Sequence, residues 1–309
     1  MRILLLGPTA VGKTGLSIKL AGALNAEIIS ADSRQCYRHL DIGTAKPGAR
    51  ELEQVRHYNI SILDPDEPDS AADFYERAMQ WEEKIRAKGK KILYVGGSTL
   101  HLQAIIKPFD DVPESDPDNV AQLERTAERE GIDTLYSRLE EVDPDYAKKM
   151  DGMNTQRIIR ALDVWMQTGR PFSSFHSDEE SFELPPKTRV FGLQRDRKKL
   201  YERINRRVDR MFEQGFLDEV GRLLELGYGR EDHALDSVGY RDAIEYLNGE
   251  KTLEQAVKDM KTQTRRYAKR QLTWFRRWDF IHWIDMDRNS ETEALKIILD
   301  TLAAKSQNR

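Results

Sequence analysis

One short segment near the N-terminus constrains the fold of this chain more than any other. Residues 7–14 read GPTAVGKT and match the pattern G-x-x-x-x-G-K-[ST] in full. They follow the apolar run Arg2–Leu6 and precede leucines at positions 16, 20 and 24, a helical spacing. In this pattern the glycines let successive backbone N–H groups turn toward phosphate oxygens, and the following helix points its N-terminus at the same anion. The segment therefore predicts a strand, a phosphate-binding loop and a helix.

The lysine and threonine of the motif carry its chemistry. Lys13 can reach a terminal phosphate, and the Thr14 hydroxyl can coordinate Mg²⁺ beside it. A tight turn without a ligand is the alternative, but a strand before the motif and a helix after it are the context that phosphate binding requires. The residues predicted to bind phosphate are Gly7, Pro8, Thr9, Ala10, Val11, Gly12, Lys13 and Thr14.

Apolar runs alternate with amphipathic helical patterns over the first hundred residues. One helix is predicted from a capping-box start at Ser70 and Asp73, with a stop at Gly89. Continuous apolar strands that alternate with helices are typical of a parallel sheet covered on both faces. The predicted fold class is α/β, a P-loop NTPase-like parallel sheet with flanking helices. The other predicted strands are Glu27–Ser30, Tyr58–Leu63, Lys91–Val95, Val190–Leu193 and Phe280–Ile284.

The pattern changes near residue 108. A loop rich in proline and carboxylates leads into helical patterns that continue to Gly169 without a convincing strand. We predict an all-α insertion domain over residues 110–189. Residues 1–109 and 190–309 would form the P-loop α/β core, with C-terminal helices rich in arginine.

Cysteine content and hydropathy exclude several classes of protein. The single cysteine, Cys36, cannot form a disulfide framework or a zinc site of two or four cysteines. The apolar N-terminal run is too short for a signal-peptide core, and no stretch of about 18 apolar residues occurs. We therefore expect a soluble, cytoplasmic protein that does not enter a membrane.

Which molecule carries the bound phosphate is a separate question. An ATPase or kinase usually adds an acidic residue at the end of a neighbouring strand to hold Mg²⁺. The interior strand Lys91–Val95 is followed by Gly-Gly-Ser instead, and Asp285 stands near the C-terminus. Asp32, just past the second strand, should face the phosphate loop because strand C-termini face the ligand in open α/β sheets. A turn or helix-capping role for Asp32 is the alternative.

The sequence around Asp32 carries a family resemblance. Residues 30–47 read SADSRQCYRHLDIGTAKP, and together with residues 7–14 they closely resemble the tRNA dimethylallyltransferase (tRNA isopentenyltransferase) family. The block at 30–47 is very specific, whereas the phosphate loop alone would not be. Further blocks follow in family order over nearly the whole chain: SAADF at 70–74, YVGGS at 94–98, QRIIRAL at 156–162, SVGY at 237–240 and YAKRQLTWFR at 267–276.

The resemblance implies a prenyl transfer. The family moves the dimethylallyl group of dimethylallyl diphosphate to N6 of adenine 37 in tRNA, beside the anticodon, giving N6-(dimethylallyl)adenosine. The phosphate loop, with its catalytic Lys13, would then hold the diphosphate leaving group rather than ATP, with Mg²⁺ at Thr14. Asp32 matches the family's general base, and Ser98 stands where the family has a threonine that helps at the reaction centre. Arg197 aligns with a family arginine that could reach the same phosphates; a solvated arginine at a helix start is the alternative.

The resemblance also assigns residues to the tRNA anticodon stem-loop, whose adenine 37 must turn out of the stack to enter a pocket. In the second of two matching groups we expect the isoleucines to pack inward and the polar residues to make the contacts. Val120 stands where the family usually has an arginine, which puts one expected contact in doubt. The residues that match tRNA-contacting segments are Asp32, Ser33, Arg34, Gln35, Gln156, Arg157, Ile158, Ile159 and Arg160.

Two further positions near the predicted site are interpreted as structural. His101 replaces a tyrosine that is common in the family, and we expect it to pack at the edge of the core rather than act as a catalyst. Cys36 lies inside the block that carries the resemblance, but the family needs no thiol there. We expect it to be a small buried apolar residue.

The overall charge disguises two basic segments. The chain has 49 Lys and Arg against 53 Asp and Glu, a formal net charge of −4, which argues against an indiscriminate polyanion binder. Residues 195–210 nevertheless carry a net charge of +5, and residues 258–277 carry +7. Solvated helix faces are one explanation; a footprint for the phosphate backbone of RNA is the interpretation we favour.

Three functions stay open from the sequence. The leading interpretation is a tRNA-modifying prenyltransferase that acts as a monomer, with the tRNA anticodon stem-loop and dimethylallyl diphosphate as its partners. Prenyl transfer to a free adenine nucleotide and a P-loop phosphotransferase of the nucleoside-kinase kind are the alternatives. A non-catalytic RNA-binding protein is disfavoured because it would need neither Asp32 nor the phosphate loop.

Overall fold

The computed structural model describes residues 1–107, 112–150, 152–175 and 184–304, and it divides the chain into two compact units. One unit contains residues 1–107 together with those from 184 onward, and the other contains the described residues from 112 to 175. The second unit covers most of the predicted insertion. Residues 110, 111, 151 and 176–183 of that insertion lie outside the described residues.

The first unit is built on a sheet of six parallel strands, which confirms the predicted α/β class. The strand order is 3-2-4-1-5-6, so the strand before the phosphate loop lies in the interior between the fourth and fifth strands. Four of its five residues are completely buried, as expected for a sheet covered on both faces. The strands are β1 (Arg2–Leu6), β2 (Ala26–Ala31), β3 (His57–Tyr58), β4 (Lys91–Gly96), β5 (Thr188–Gln194) and β6 (His282–Asp285).

The third strand is shorter than the predicted Tyr58–Leu63. Asn59 and Ser61 adopt positive φ angles of 61° and 51°, which end the extended backbone after Tyr58. The backbone N–H of Ser61 then donates to the carbonyl of Gln35 at 3.1 Å, and that of Ile62 donates to the carbonyl of Cys36 at 2.7 Å. Residues 61 and 62 therefore support the turn that follows β2 instead of extending the sheet.

Four helices precede the second unit. Ser70 caps one of them by accepting from the backbone N–H of Asp73 at 3.1 Å, and the Asp73 carboxylate accepts from the backbone N–H of Ser70 at 2.9 Å. This pair is the predicted capping box. The helices are α1 (Lys13–Leu24), α2 (Ala49–Gln54), α3 (Ala71–Ala87) and α4 (Thr99–Ile106).

The second unit is helical throughout its described residues. Its core is formed by Leu123, Leu139, Ile158 and Leu162, and Val120 packs against them. Asp116 and Asn154 each cap the N-terminus of a helix through their side chains. The helices are α5 (Pro117–Glu130), α6 (Ile132–Val142), α7 (Pro144–Lys149) and α8 (Thr155–Thr168), followed by a 3₁₀ helix at Phe172–Phe175.

Five helices complete the first unit after β5. None of the helices in the described residues is both long enough and apolar enough to cross a membrane. The helices are α9 (Arg197–Glu213), α10 (Phe216–Glu225), α11 (Tyr240–Leu247), α12 (Leu253–Phe275) and α13 (Glu291–Ala304).

Candidate active site

The phosphate loop connects β1 to α1, as the motif predicts. Gly12 ends the loop at φ 116°, a backbone conformation that side chains other than that of glycine rarely adopt. The Nζ of Lys13 donates to the carbonyl oxygens of Gly7 at 2.8 Å and Pro8 at 2.9 Å, so the lysine folds back over the loop. The charge of Lys13 thus lies above the backbone that would surround a phosphate.

Three side chains from other elements hold the loop in this shape. The backbone N–H of Thr9 donates to Oε1 of Gln271 at 2.9 Å. Arg203 donates to the carbonyl oxygen of Ala10 at 2.9 Å, and Arg195 donates to that of Val11 at 3.0 Å. Helices α9 and α12 and the residue that follows β5 therefore fix the loop, although the sequence assigned no role to Gln271.

Asp32 follows β2, where it both stabilises a turn and lines the candidate site. Its Oδ1 accepts from the backbone N–H groups of Arg34 at 2.9 Å and Gln35 at 3.3 Å, so it shapes the turn as the alternative interpretation described. The residue also lines the same cavity as Lys13, as the topology predicts. Within the described residues its Oδ2 makes no hydrogen bond, which leaves that oxygen able to accept a proton.

A cavity of about 720 Å³ extends from the phosphate loop between α9 and α12. Its lining is strongly basic, because seven described side chains carry positive charge and three carry negative charge. Such a lining attracts polyanions. The basic residues are Lys13, Arg34, Arg203, Arg206, Arg207, Arg210 and Arg270, and the acidic residues are Asp32, Asp236 and Glu291.

The pKa values of the lining groups reflect their burial and their mutual charges. Burial lowers the pKa of Lys13 to about 8, with Arg207 acting in the same direction and the negative charge of Asp32 opposing both. Burial likewise lowers the pKa of Arg207, again against Asp32. Burial and Asp32 raise the pKa of the Tyr267 hydroxyl to about 12. Asp32 is thus the electrostatic neighbour of both cations that an anion would contact.

Two residues predicted for the reaction centre do not line this cavity. Arg197 is exposed at the start of α9, and its guanidinium lies 5.3 Å from the ring centroid of Tyr201. This exposed position fits the alternative interpretation, a solvated arginine at a helix start. Ser98 occupies the N-cap position of α4 without a side-chain capping hydrogen bond, and its backbone N–H donates to the carbonyl of Ala31 at 3.2 Å; its neighbour Gly97 lines the cavity instead.

The arginines that do reach the cavity from α9 share one face of the helix. Four line the cavity, and each is three or four residues from two of the others along that face: Arg203, Arg206, Arg207 and Arg210. Arg207 also donates to the carbonyl of Thr44 at 3.3 Å. In the sequence these arginines stand out only through the net charge of residues 195–210. Their helical spacing was the signal that could have separated them from Arg197.

The predicted tRNA-contacting residues fall into two places. Asp32, Ser33, Arg34 and Gln35 line the cavity of the first unit. The other five lie on α8 in the second unit, where Gln156 and Arg157 are exposed. The remaining side chains of that group are Ile158, Ile159 and Arg160.

The two isoleucines cannot contact RNA through their side chains. Ile158 is 0% and Ile159 6% exposed, and both belong to the core of the second unit, as their helical spacing suggested. Their assignment as tRNA-binding residues is therefore corrected to a packing role. Arg160 is held within the same unit by Asp163 at 2.9 Å, by Ser115 and by the carbonyl of Pro113.

Thr14 and the nearby structural residues complete the site. Thr14 is exposed at the first turn of α1, lines the cavity, and donates no hydrogen bond within the described residues. Elsewhere in the described chain no group of three or more His, Cys, Asp or Glu side chains could hold a metal ion.

His101 stacks on Phe74 at 4.4 Å, and burial lowers its pKa to about 3. Cys36 is buried, so both residues have the structural roles predicted for them.

Comparison with known proteins gives one consistent result. The sequence model of the family described as IPP transferase matches residues 35–278. The chain is 42% identical to the tRNA dimethylallyltransferase of Acetivibrio thermocellus over 297 residues, which cover 95% of this chain and 94% of that protein. It is also 42% identical to the tRNA dimethylallyltransferase of Bacillus cytotoxicus, with 99% and 97% of the two chains covered.

Solved structures agree with these relatives. A full-length tRNA isopentenylpyrophosphate transferase from Bacillus halodurans superposes with a TM-score of 0.71 at 39% identity, covering 99% of this chain and 98% of that one. A eukaryotic dimethylallyltransferase, described from crystallographic snapshots of it acting on tRNA, gives a TM-score of 0.82 at 28% identity. That match covers 98% of this chain and 80% of the eukaryotic chain.

Proposed function

The chain belongs to the IPP transferase family, and from this premise we propose the chemistry of its site. It transfers a dimethylallyl group to tRNA. We propose that the donor is dimethylallyl diphosphate and that the acceptor is N6 of adenine 37, beside the anticodon, giving N6-(dimethylallyl)adenosine. The observation that carries this proposal is that Asp32 and residues 9, 10 and 12–14 of the phosphate-binding loop line one basic cavity.

Asp32 is the proposed general base. The exocyclic amine of adenine is a weak nucleophile, so a carboxylate that accepts its proton assists the attack. In the transfer, a bond forms between N6 and C1 of the dimethylallyl group, and the bond from C1 to the diphosphate oxygen breaks. The electron pair of that bond leaves with the diphosphate, and the N6 proton passes to Oδ2 of Asp32.

The phosphate loop and α9 stabilise the leaving group. Negative charge develops on the diphosphate as the bond to C1 breaks, and the loop amides with Lys13 meet that charge. Arg207 supports them, since it lines the same cavity and shares Asp32 as an electrostatic neighbour with Lys13. We propose Arg207 for the role that the resemblance had suggested for Arg197.

Mg²⁺ fits the same place. The Thr14 hydroxyl is a hard oxygen ligand at the first turn of α1, beside Lys13, and diphosphate oxygens and water would supply the other ligands. When bound there, the ion would neutralise charge on the departing diphosphate. Thr14 is exposed, lines the cavity and donates no hydrogen bond within the described residues, so its hydroxyl is available as a ligand.

The tRNA is held by two groups of residues. Ser33, Arg34 and Gln35 line the cavity that adenine 37 must enter, so they are the proposed contacts of the extruded nucleotide. The exposed Gln156 and Arg157 of the second unit are proposed to contact the anticodon stem-loop. The proposal further takes the enzyme to be cytoplasmic and monomeric, and sedimentation of the purified protein tests the latter.

One experiment tests the proposed function directly. The protein is incubated with dimethylallyl diphosphate, Mg²⁺ and unmodified tRNA, and the RNA is digested to nucleosides for mass analysis. We expect a dimethylallyl adduct of adenosine that maps to position 37. Parallel reactions with adenosine monophosphate as acceptor, and with ATP and a nucleoside, test the two alternatives. An adduct on the free nucleotide alone, or transfer of the γ-phosphate, would replace the proposed function.

A further inference from the structure

Glu219 is a buried carboxylate that the proposed chemistry does not use. It lies in the first turn of α10 and is 4% exposed. Its Oε2 accepts from the backbone N–H groups of Asp41 at 2.9 Å and Ile42 at 2.6 Å. Its Oε1 accepts from the backbone N–H of Gly43 at 3.1 Å and from the Tyr240 hydroxyl at 2.6 Å.

Three successive amides that converge on one anion form a concave backbone site. Here the anion is part of the protein itself, because the Glu219 carboxylate fills the concavity. A buried charge is costly unless it is fully hydrogen-bonded, and the four donors meet that requirement. The shape of residues 41–43 and the position of the Glu219 carboxylate therefore depend on each other.

The opposite side of this loop faces the cavity. Gly43, Thr44 and Ala45 line it. The side-chain amide of Gln35 donates to the carbonyl oxygens of Thr44 at 3.4 Å and Ala45 at 3.3 Å, and Arg207 donates to that of Thr44. The loop thus supports one residue proposed to contact the nucleotide and one proposed to contact the diphosphate.

Aromatic rings support the loop on the side of Glu219. A Cβ on Gly43 would lie 2.5 Å from the ring of Phe216 and 2.6 Å from that of Tyr240. The loop consequently rests directly on these rings and cannot move toward α10. Its position is set by packing against these rings and by the hydrogen bonds to the Glu219 carboxylate.

We propose that Glu219 is a positioning residue: its carboxylate holds residues 41–45 in the lining of the cavity and, through their carbonyl groups, orients Gln35 and Arg207. The inference rests on the proposed function, because its main readout is transfer to RNA. Neither oxygen of Glu219 needs to touch a substrate in this role.

The test uses Glu219→Gln in the full chain. Glutamine keeps the size of the side chain, but its amide nitrogen cannot accept a hydrogen bond and must face two N–H or O–H donors. We expect kcat/KM for an unmodified anticodon stem-loop RNA to fall about 10- to 100-fold. Amide hydrogen exchange at Asp41, Ile42 and Gly43 should accelerate. The affinity for inorganic pyrophosphate should fall less than kcat/KM does, because the phosphate loop keeps its contacts while Arg207 loses only the support of the Thr44 carbonyl.

Leu223→Ala is the matched control. Leu223 lies one turn further along α10, is fully buried, and makes no contact with the loop through a polar group. The variant should melt at a lower temperature yet, assayed well below its Tm, retain kcat/KM within about threefold. An equal loss of kcat/KM in Leu223→Ala would mean that destabilisation explains the effect of Glu219→Gln, and it would overturn the inference. Turnover and amide exchange at wild-type rates in Glu219→Gln would overturn it as well.

A second variant covers the case in which Glu219→Gln does not fold. Gly43→Ala leaves Glu219 intact and displaces the loop from the side of the aromatic rings. It should lower kcat/KM for the RNA to a similar degree, and unchanged turnover would contradict the inference. Absence of transfer by the wild-type protein would count against the proposed function instead, so the two failures are distinguishable.

Discussion

Arg203 donates from its guanidinium to the carbonyl oxygen of Ala10 at 2.9 Å, which ties helix α9 directly to the phosphate loop. The contact sets the rotation of α9 about its axis. Arg207, one turn further on, consequently faces the same cavity. Burial lowers the pKa values of Lys13 and Arg207, the charge of Arg207 adds to the lowering at Lys13, and the charge of Asp32 opposes both shifts. Arg197, at the start of the helix, is left exposed.

Substitution of Arg207 should weaken the handling of the leaving group. Arg207→Gln removes a cation from the place where diphosphate charge develops, and we expect kcat/KM for dimethylallyl diphosphate to fall about 10²- to 10³-fold. Steady-state kinetics at saturating tRNA measures this loss.

Arg197→Gln is the control for that variant, since it removes the same charge from the same helix. Its kcat/KM should stay within about threefold of wild type, because the side chain contacts Tyr201 at the surface. A larger loss of kcat/KM in Arg197→Gln than in Arg207→Gln would return the diphosphate role to Arg197. It would also mean that α9 presents a different face to the cavity in the active enzyme.

Helix α9 shows which features of the site depend on local sequence and which depend on packing. The motif at 7–14 located the phosphate loop because local backbone chemistry determines its shape. Asp32 could be placed because the ends of parallel strands meet at one edge. The arginines of α9 depend on how the helix packs, which a count of charges does not contain. Gln271 and Glu219 are further cases, since each acts through hydrogen bonds to backbone groups more than 170 positions away.

Asp32→Asn separates the proposed base from its role in the turn. Asparagine keeps an oxygen that can accept from the N–H groups of Arg34 and Gln35, but it cannot take up the N6 proton. We expect kcat to fall about 10²- to 10⁴-fold, with the affinity for the anticodon stem-loop RNA changed less than about threefold. Single-turnover kinetics and RNA-binding titrations on the same preparation measure the loss of turnover and the change in affinity separately. Equal losses in binding and turnover would assign Asp32 to the turn alone.

The lowered pKa of Lys13 predicts a pH dependence for anion binding. Near pH 7 the lysine is charged, and it becomes neutral as the pH rises through its pKa of about 8. A bound diphosphate favours the charged form, so binding above pH 8 takes up a proton. The affinity for inorganic pyrophosphate should therefore fall by up to about tenfold per pH unit above 8. Isothermal titration calorimetry between pH 7 and pH 9.5, in buffers of different ionisation enthalpy, measures both the affinity and the proton uptake.

Lys13→Arg separates the titration of the lysine from that of pyrophosphate, which also ionises in this pH range. Arginine stays charged up to about pH 12, so its variant retains only the pH dependence that belongs to pyrophosphate. The difference between the two profiles is the contribution of Lys13. Identical profiles would mean that Lys13 does not change its charge in this range.

The fold was predictable where patterns are continuous and was not where single residues redirect the backbone. Continuous apolar runs located all six strands, and the capping box at Ser70 located the start of α3. The predicted third strand was too long because Asn59 and Ser61 adopt positive φ angles. Apolar composition continues through Ile62 and Leu63, and it gives no sign that the backbone turns there to support the segment after Asp32.

Arg157 and Ile158 are adjacent on α8 and should respond to alanine substitution in opposite ways. Arg157 is exposed, so Arg157→Ala should leave Tm unchanged while weakening binding of the anticodon stem-loop. Because one phosphate contact is lost, the slope of log K against log salt should become shallower by about 0.7 to 0.9. Ile158 is completely buried, so Ile158→Ala should cost the second unit about 2 to 5 kcal/mol of unfolding free energy without altering that slope. Binding titrations at several salt concentrations, together with thermal melts, measure both effects. A wild-type slope in Arg157→Ala would remove α8 from the RNA-binding surface, and a shallower slope in Ile158→Ala would indicate that the helix contributes through its fold rather than through a phosphate contact.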